Sequence, residues 1–451
     1  MAKNKYEIDM CEGPILKKML ALTIPIVISS VLQLLFNAAD IIVVGNFASS
    51  NSLAAVGSTT SLVNLMTNLF LGLSTSANVL TSRYMGAKDD ENVSKTIHTS
   101  IFLSIASGLF MTVVGVVFAP KLLALMQTPD EVLTLSSQYL RIYFLGMIAM
   151  MVYNFGASIL RSKGDTKRPL YYLSFAGVIN VVLNLIFVIA LHMDVVGVAL
   201  ATVISQFISA ALIINCLIHE DGAYKFCFKR LKPDFRIVKR ILQIGIPAGL
   251  QGVVFSLSNV VVQSSINGFG AYAMAGSAAS ASIEGFVWVS MNAFSQGALT
   301  FTSQNIGAGK YDRIKKIAFV SCACAALTGL ILGNLAHIFG HSLVSIYDTR
   351  PEVIATGITR LRIVCGFYFA CGLMDCICGT IRGLGYAVLP TVVSMLGACG
   401  LRILWIATVF QIPAYHTESM LFISYPISWS ITFIAHIICF MIIKKRIRKP
   451  D

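Results

Sequence analysis

The residue with the clearest chemical potential is a carboxylate within an apolar stretch. Leu20 to Val44 is long enough to cross a membrane as one helix, and it contains both Pro25 and Asp40. A carboxylate within hydrocarbon costs at least about 2.5 kcal/mol, and such residues mark ion pathways and proton relays. The sequence therefore predicts that Asp40 is a functional site and that Pro25 is a hinge in its helix.

Neutral oxygen ligands for Asp40 are available further along the first half. Asn180 and Asn184 are four residues apart in the fifth apolar stretch, so they share a helix face. Thr202 and Asn154 add a hydroxyl and a third amide. One carboxylate among neutral oxygens suits a proton or a hard cation such as sodium. The alternative is that these polar residues hold helices together by hydrogen bonds.

The elements that position these residues are predicted membrane spans. The chain is 56% apolar and 12% charged, against roughly 25% charged in soluble domains. We predict an all-α polytopic membrane protein with twelve spans. Their approximate ranges are 18–44, 53–77, 97–119, 135–160, 170–191, 195–218, 238–265, 274–300, 315–339, 357–381, 387–410 and 420–443.

The charge pattern predicts the orientation of the chain in the membrane, and the cysteine pattern argues against a metal site or a disulfide framework. The 34 Lys+Arg outnumber the 21 Asp+Glu, and the basic residues collect in alternate loops, including Lys444 to Lys449. This pattern predicts a multi-pass protein with both termini in the cytoplasm, and it favours orientation in a cell membrane over nucleic-acid binding. The eleven cysteines show no metal-ligand spacing, so neither a metal site nor a disulfide framework is predicted.

An internal repeat divides the chain. A shift of 221 residues aligns Leu140-Arg141-Ile142 with Leu361-Arg362-Ile363, and a shift of 222 aligns Pro25 with Pro247. We therefore predict a six-helix lobe at 1–220, a cytoplasmic linker at 221–240 and a second six-helix lobe at 241–451. With six spans each, the lobes form a parallel repeat about an axis along the membrane normal, as in secondary transporters.

The acids are distributed unequally between the repeats. Glu284 and Asp375 are the remaining acids within predicted spans, and the shift of 221 places them opposite Val63 and Asn154. The difference fits separate ion and substrate duties, and it also fits evolutionary drift.

The chain resembles the multidrug and toxic compound extrusion (MATE) transporters over nearly its whole length. The motifs that carry the resemblance are Asn37-Ala-Ala-Asp40, Val44-Gly45, Gly86-Ala87-Lys88, Leu140-Arg141-Ile142, Arg161-Ser-Lys-Gly164 with Pro169, and Gln304-Asn305-Ile-Gly307. The resemblance implies two six-helix lobes in a V. It also implies cation-coupled export of amphiphilic or cationic small molecules by alternating access, with H⁺ or Na⁺ as the transported ion and no bound cofactor.

Within this family the chain looks closest to the DinF-like branch, whose cation site lies in the N-terminal lobe. That resemblance implies a site of Asp40, Asn180, Asn184 and Thr202, with Tyr139 and Asn154 nearby. Asn184 departs from the branch, which often has a second acid there. Asp375 matches an acid in the tenth span of the other main branch, which allows mixed coupling. The residues assigned to the substrate cavity are Tyr139, Asn154, Glu284 and Asp375. The expected assembly is a monomer.

Two other functional classes are weaker alternatives. A lipid-linked saccharide flippase of the same superfold would need several cavity-facing basic residues for a pyrophosphate, whereas the arginines of the spans lie mostly near helix ends. An intramembrane enzyme is not predicted, because the sequence lacks HExxH and Gly-x-Ser-x-Gly motifs and a convincing catalytic pair.

The predicted orientation has a direct test. In a background without native cysteines, an impermeant thiol reagent applied outside intact cells should label a cysteine at Asn51 or His416. It should leave one at Lys310 unlabelled, because basic loops stay in the cytoplasm. External labelling at position 310 would reverse the topology.

Overall fold

The structure is a computed structural model that describes residues 6–126 and 128–447. The outermost ends of the two predicted lobes, and Arg448 and Lys449 of the basic C-terminal segment, lie outside the described residues. Throughout the described ranges the regular structure is helical, with α-helices interrupted by short 3₁₀ and π segments. The all-α prediction is confirmed.

The first half is built from helices separated by short turns. They are α1 Ile15–Phe47, α2 Ser50–Gly86, α3 Asp90–Leu125, α4 Asp130–Leu145, α5 Met147–Ser162, α6 Lys167–Asn184 with a π-helical continuation Leu185–Ala190, and α7 Asp194–Ile218.

The second half follows the same plan. Its helices are α8 Phe235–Asn267, α9 Ala271–Gly307, α10 Asp312–Ile338, α11 Gly340–Ser345, α12 Pro351–Val364, α13 Tyr368–Gly383, α14 Val388–Ser394, a π segment Met395–Gly400, α15 Leu401–Ala407 and α16 Glu418–Ile447.

Most of these helices can cross a membrane. Within the described residues, nine helical segments are long and apolar enough to do so, and a tenth follows if α4 and α5 form one bent span. Two other predicted spans fall on α2 and α9, which are 37 residues each. Large apolar side chains such as Phe110, Val117 and Ile434 are exposed on the helices, as expected of surfaces that face lipid. The polytopic architecture is confirmed, and the number twelve stays a prediction.

The fourth and tenth predicted spans are each interrupted near the middle. α4 and α5 meet at Gly146 with a bend of 45°, and a 3₁₀ turn at Cys365–Phe367 separates α12 from α13. A Cβ at Gly146 would lie 2.2 Å from Oε1 of Gln206, so the bend brings α7 into close contact. The shift of 221 residues places the two interruptions opposite each other, and both therefore belong to the repeat.

The chain divides into two compact units that differ from the predicted lobes at two places. Of the described residues, one unit contains Tyr6–Asp9 and Ile28–Gly249, and the other contains Met10–Val27 and Leu250–Ile447. α8 begins at Phe235, within the predicted linker 221–240. Both α1 and α8 therefore pass from one unit to the other along their length.

Contacts within the second unit explain why the start of α1 belongs there. Nδ2 of Asn305 donates to the carbonyl of Met10 at 3.1 Å, and Nζ of Lys310 donates to the carbonyl of Cys11 at 3.1 Å. A Cβ at Gly297 would lie 2.7 Å from the sulfur of Met19. The absence of that Cβ lets α1 pack closely on α9.

A buried ion cluster stabilises the first unit at the turn between α5 and α6. Nζ of Lys163 lies 2.6 Å from Glu7 and 2.5 Å from Glu220, and Arg168 contacts both Glu220 and Asp165. Burial raises the pKa of Asp165, and the neighbouring Arg168 opposes that shift. Each charge in the cluster has an opposite partner, which is the condition for burying it at tolerable cost.

The small-residue contacts predict which glycines the fold requires. A Cβ at Gly333 of α10 would lie 2.2 Å from the carbonyl oxygen of Cys365, whereas one at Gly285 of α9 would meet nothing within 4 Å. Gly333→Ala should lower the Tm of purified protein by at least about 2 °C through overpacking. Gly285→Ala should leave the Tm unchanged or raise it, because alanine favours helix. Thermal unfolding is measured in detergent, and the signal is the reaction of buried cysteine thiols with a reagent as unfolding exposes them. Equal Tm values for the two variants would show that α10 adjusts freely.

Candidate functional site

Close packing of α1 on α6 places Asp40 beside the two asparagines. A Cβ at Gly177 would lie 1.9 Å from the ring of Phe36, so the ring occupies the space that the glycine leaves. Asp40 is one helical turn after Phe36, and Asn180 and Asn184 are one and two turns after Gly177. The ring contact therefore aligns the three polar side chains.

The carboxylate of Asp40 accepts hydrogen bonds from amides of α6. Nδ2 of Asn184 donates to Oδ1 of Asp40. An amide's orientation is assigned from its hydrogen bonds, and these place Nδ2 of Asn180 2.9 Å from Oδ1 of Asp40 with its own oxygen 3.3 Å from the backbone nitrogen of Thr202. In the opposite orientation, Asn180 instead donates to Oγ1 of Thr202 at 3.4 Å and accepts from Asn184 at 3.3 Å. Either arrangement joins α1, α6 and α7.

Asn184 has a side-chain oxygen that accepts no hydrogen bond in the described residues, and it lies where α6 becomes π-helical. Asn184 is completely buried, and its Oδ1 has no hydrogen-bond partner among the described residues. The π-helical segment Leu185–Ala190 begins directly after it. π segments are concentrated at functional sites, where they redirect side chains. Asn184 thus offers a free oxygen beside a carboxylate.

No basic side chain compensates Asp40. Within the described parts of the chain, no Lys, Arg or His nitrogen lies within ion-pair distance of its carboxylate. Two tyrosines of α4, Tyr139 and Tyr143, interact electrostatically with Asp40, and their rings stack with centroids 5.9 Å apart. In a low dielectric, a carboxylate without a cationic partner favours the neutral, protonated form or an ion-bound form.

These groups can hold either of two ions. A proton on Asp40 can be donated to the unused Oδ1 of Asn184. A hard cation can instead be bound by the carboxylate, the hydroxyl of Thr202 and the amide oxygens, once the amides turn their oxygens towards it. Among the described residues no cluster of three His, Cys, Asp or Glu is present that could hold a metal ion. The site therefore has a single formal charge.

The remaining predicted residues of the first half lie in different surroundings. Asn154 of α5 donates from Nδ2 to the carbonyl of Met150 at 2.8 Å, within its own helix. Tyr139 is buried next to Tyr143. Pro25 is buried within a continuous α1, two residues before the helix changes unit at Val27.

In the second unit, the two intramembrane acids have different partners. Glu284 is held by Arg360 in a two-pronged ion pair, with Nε to Oε1 and Nη2 to Oε2 both at 2.8 Å. Asp375 has no ion pair in the described residues, but its side chain forms a hydrogen bond with Trp288 and interacts electrostatically with Arg382. Glu284 is thus neutralised by direct contact with an arginine, and Asp375 is not.

Two residues connected with Asp40 were not predicted from the sequence. Tyr143 interacts electrostatically with the carboxylate. Gln206 forms a hydrogen bond with Tyr143 and packs against Gly146. Helical periodicity could have identified Tyr143, because it follows Tyr139 by one turn on the same face of α4. Gln206 gives no signal in sequence, because its position depends on the bend of 45° between α4 and α5.

Comparison with known proteins agrees with this architecture. The profile of the MatE family matches residues 25–186 and again 247–408, so each half matches separately. The chain is 26% identical to the probable multidrug resistance protein YoeA of Bacillus subtilis, over 91% of this chain and 90% of that protein. It is 26% identical to the multidrug export protein MepA of Staphylococcus haemolyticus, over 78% of each.

Solved structures show the same fold at lower identity. A multidrug resistance MATE family transporter of the MOP superfamily, described in an outward-facing conformation, superposes with a TM-score of 0.91 at 20% identity. The superposition covers 99% of this chain and 100% of the other. A MATE crystal structure in complex with MaL6 gives 0.92 at 21% identity, with the same coverage. Placement in the DinF-like branch stays a prediction. The chain is a polytopic membrane transporter, not an enzyme, and it belongs to the MatE family.

Proposed function

We propose that this transporter exports amphiphilic or cationic small molecules in exchange for protons or sodium ions, and that Asp40 is the coupling residue. The observation that carries the proposal is a carboxylate within a membrane span that is held by Asn184 and Asn180 and lacks a cationic partner in the described residues. The names of the relatives, multidrug resistance and multidrug export proteins, support the substrate class.

Coupling requires that the ion binds two conformations with different affinity. An ion at Asp40 removes the negative charge to which the amides of α6 donate, so the contact between α1 and α6 weakens or rearranges. Pro25 supplies a point of bending, because proline cannot donate the helical hydrogen bond to the carbonyl of Ala21. The change of unit at Val27 lies two residues further on. Bending there changes the direction of the part of α1 after Val27, which carries Asp40, relative to the part that begins at Ile15.

The identity of the ion depends on Asn184. The site has one carboxylate and several neutral oxygens. It can accept a proton without rearrangement, because the O–H of protonated Asp40 can donate to Oδ1 of Asn184. Sodium requires amide oxygens turned inwards and gains from a second carboxylate. We infer that the native chain couples to protons more readily than to sodium.

Asp375 is the acid that we assign to cationic substrates. Glu284 already has a compensating charge in Arg360, so its contribution is to hold α9 against α12. The lipid-linked saccharide flippase is not favoured, since the relatives are described as multidrug proteins. A monomer in the cell membrane with both termini in the cytoplasm, working by alternating access, completes the proposal.

The decisive variant is Asp40→Asn, which removes the titrating group and keeps the shape of the side chain. Gradient-driven efflux from proteoliposomes should be abolished, with expression and substrate binding preserved, because an amide cannot take up a proton or pair with sodium. Asp348→Asn, at a surface acid outside the long helices, is the matched control and should transport normally. Efflux at the wild-type rate by Asp40→Asn would leave Asp40 with a packing role only.

Removal of the amides should have a smaller effect. Asn180→Ala and Asn184→Ala each delete one donor and ligand and leave the charge, so coupling should weaken by roughly tenfold per lost charged hydrogen bond and not vanish.

Asp375→Asn should change the range of cationic substrates without stopping transport. Loss of all transport in Asp375→Asn, with normal folding, would move the coupling site to the second unit.

The choice of ion can be reversed by design. Asn184→Asp places a second carboxylate beside Asp40, which should raise the sodium dependence of efflux relative to its proton dependence. Inside-out vesicles with separately imposed sodium and proton gradients provide the measurement. Unchanged ratios for the two gradients would argue against ion binding between α1 and α6.

A further inference from the structure

The linker between α7 and α8 is fixed to the first unit by two of its own aromatic side chains. Tyr224 and Phe226 are buried and pack in the core formed by α3, α5 and α7. Oη of Tyr224 lies 3.1 Å from Oγ of Ser162, and the backbone nitrogen of Phe226 donates to the carbonyl of Leu217 at 2.9 Å. The linker is therefore held against the helices in a defined conformation.

Two backbone hydrogen bonds hold the later part of this linker on the beginning of α3. The nitrogen of Cys227 donates to Nε2 of His98 at 3.1 Å, and the nitrogen of Asp234 donates to Oγ1 of Thr99 at 3.1 Å. Neighbouring residues of α3 accept the two bonds, so the segment 228–233 begins and ends at the same part of that helix. The segment starts with a 3₁₀ turn at Phe228–Arg230, and most of its side chains are exposed.

Two phenylalanines at the ends of this segment are exposed. Phe228 is 63% exposed, and its ring meets that of the buried Phe226 edge to face with centroids 5.0 Å apart. Phe235, the first residue of α8, is 81% exposed. It precedes the exposed Ile246 by three helical turns, so it lies on the same face of α8. Phe235 therefore extends the lipid-facing side of α8 to the end of the helix, where aromatic rings are typical of the boundary between headgroups and acyl chains.

Basic side chains surround the two exposed rings. The linker 221–240 contains seven basic residues and two acids, and one of the acids, Asp234, already pairs with Arg236 at 3.6 Å. Four of the basic residues are exposed and form no ion pair in the described part of the chain, namely Lys225, Lys229, Arg230 and Lys232. The orientation of the spans accounts for basic residues in a loop and does not require exposed aromatic rings among them. The outer surface of the linker is thus both apolar and positively charged.

We propose that the linker 221–240 binds the anionic phospholipids of the cytoplasmic leaflet. Phe228 and Phe235 insert at the level of the headgroups, and the basic side chains contact the lipid phosphates. Binding of this kind combines the burial of apolar surface with attraction to anionic lipid. The position of Phe235 on the lipid-facing side of α8 favours the bilayer over an acidic protein as the partner. The inference rests on the proposed cytoplasmic placement of the linker and is independent of the cargo and of the coupling ion.

The test places a fluorescent reporter in the linker of the full-length protein. Phe228→Trp is reconstituted in nanodiscs of phosphatidylcholine and phosphatidylglycerol, with bromine on the acyl chains of one lipid or the other, and the wild type gives the background of the three native tryptophans. Brominated phosphatidylglycerol should quench the reporter at least about fivefold more effectively per mole than brominated phosphatidylcholine, which is the contribution of one basic residue near an anionic surface. The preference should disappear in 1 M salt, where the screening length is about 3 Å.

Matched charge variants show whether the linker itself selects the lipid. In the reporter background, Lys229→Gln with Arg230→Gln should bring the two lipids close to equal quenching. Lys315→Gln with Lys316→Gln removes two exposed charges from α10 and should leave the preference unchanged.

Two further reporters complete the test. Tyr347→Trp replaces an exposed tyrosine near Arg350, which is already paired with Asp348, and should show no lipid preference. Phe235→Trp is the second linker reporter if Phe228→Trp folds poorly. Absence of quenching at both linker positions, equal quenching by the two lipids, or a preference that survives the change at Lys229 and Arg230 would overturn the proposal. No gradient or substrate is present, so such a result would leave the export proposal standing.

Discussion

A carboxylate inside a membrane protein has to be matched by donors or by an ion, and the first unit is arranged around that requirement at Asp40. The ring of Phe36 fills the space at Gly177, which brings α1 close enough for Asn184 to donate to the carboxylate. Two amides can stabilise the charge only in part, because neither carries a positive charge. Among the described residues the polar contacts of this carboxylate are therefore with neutral groups.

The second unit meets the same requirement with different chemistry. Glu284 is matched by Arg360, an ion pair with good geometry and one further hydrogen bond to Ser277. Such a pair holds together the helices that carry it. Asp375 has no ion pair in the described residues, and it interacts with the more distant charge of Arg382 and with the side chain of Trp288. The repeat thus preserves the helical scaffold, while the charged side chains inside the helices differ between the two units.

Much of this organisation could be predicted from the sequence, and the reason is physical. The shift of 221 residues and the spacing of Asn180 and Asn184 follow from helical periodicity, which the apolar pattern records directly. The interruptions at Gly146 and Cys365–Phe367 could not be found, because an apolar span reads the same whether straight or bent. The pairing of Glu284 with Arg360 also escaped, since it joins residues far apart in the chain whose contact depends on packing. No local sequence pattern shows that α1 and α8 each belong in part to one unit and in part to the other.

Pro25 and Pro247 lie close to the points where α1 and α8 pass from one unit to the other, and the side chains that follow them differ in charge. α1 and α8 change unit after Val27 and Gly249, each two residues beyond its proline. A helix that lacks one hydrogen bond where its packing partners change is easier to bend there than elsewhere. In α1 the segment beyond the proline carries Asp40. The corresponding residue of α8 is Val262, which is 1% exposed and packs in the apolar core. The same proline is thus present in both helices, and the position that holds a carboxylate in α1 holds an apolar side chain in α8, so the two repeats share a backbone feature and differ in the charge that follows it.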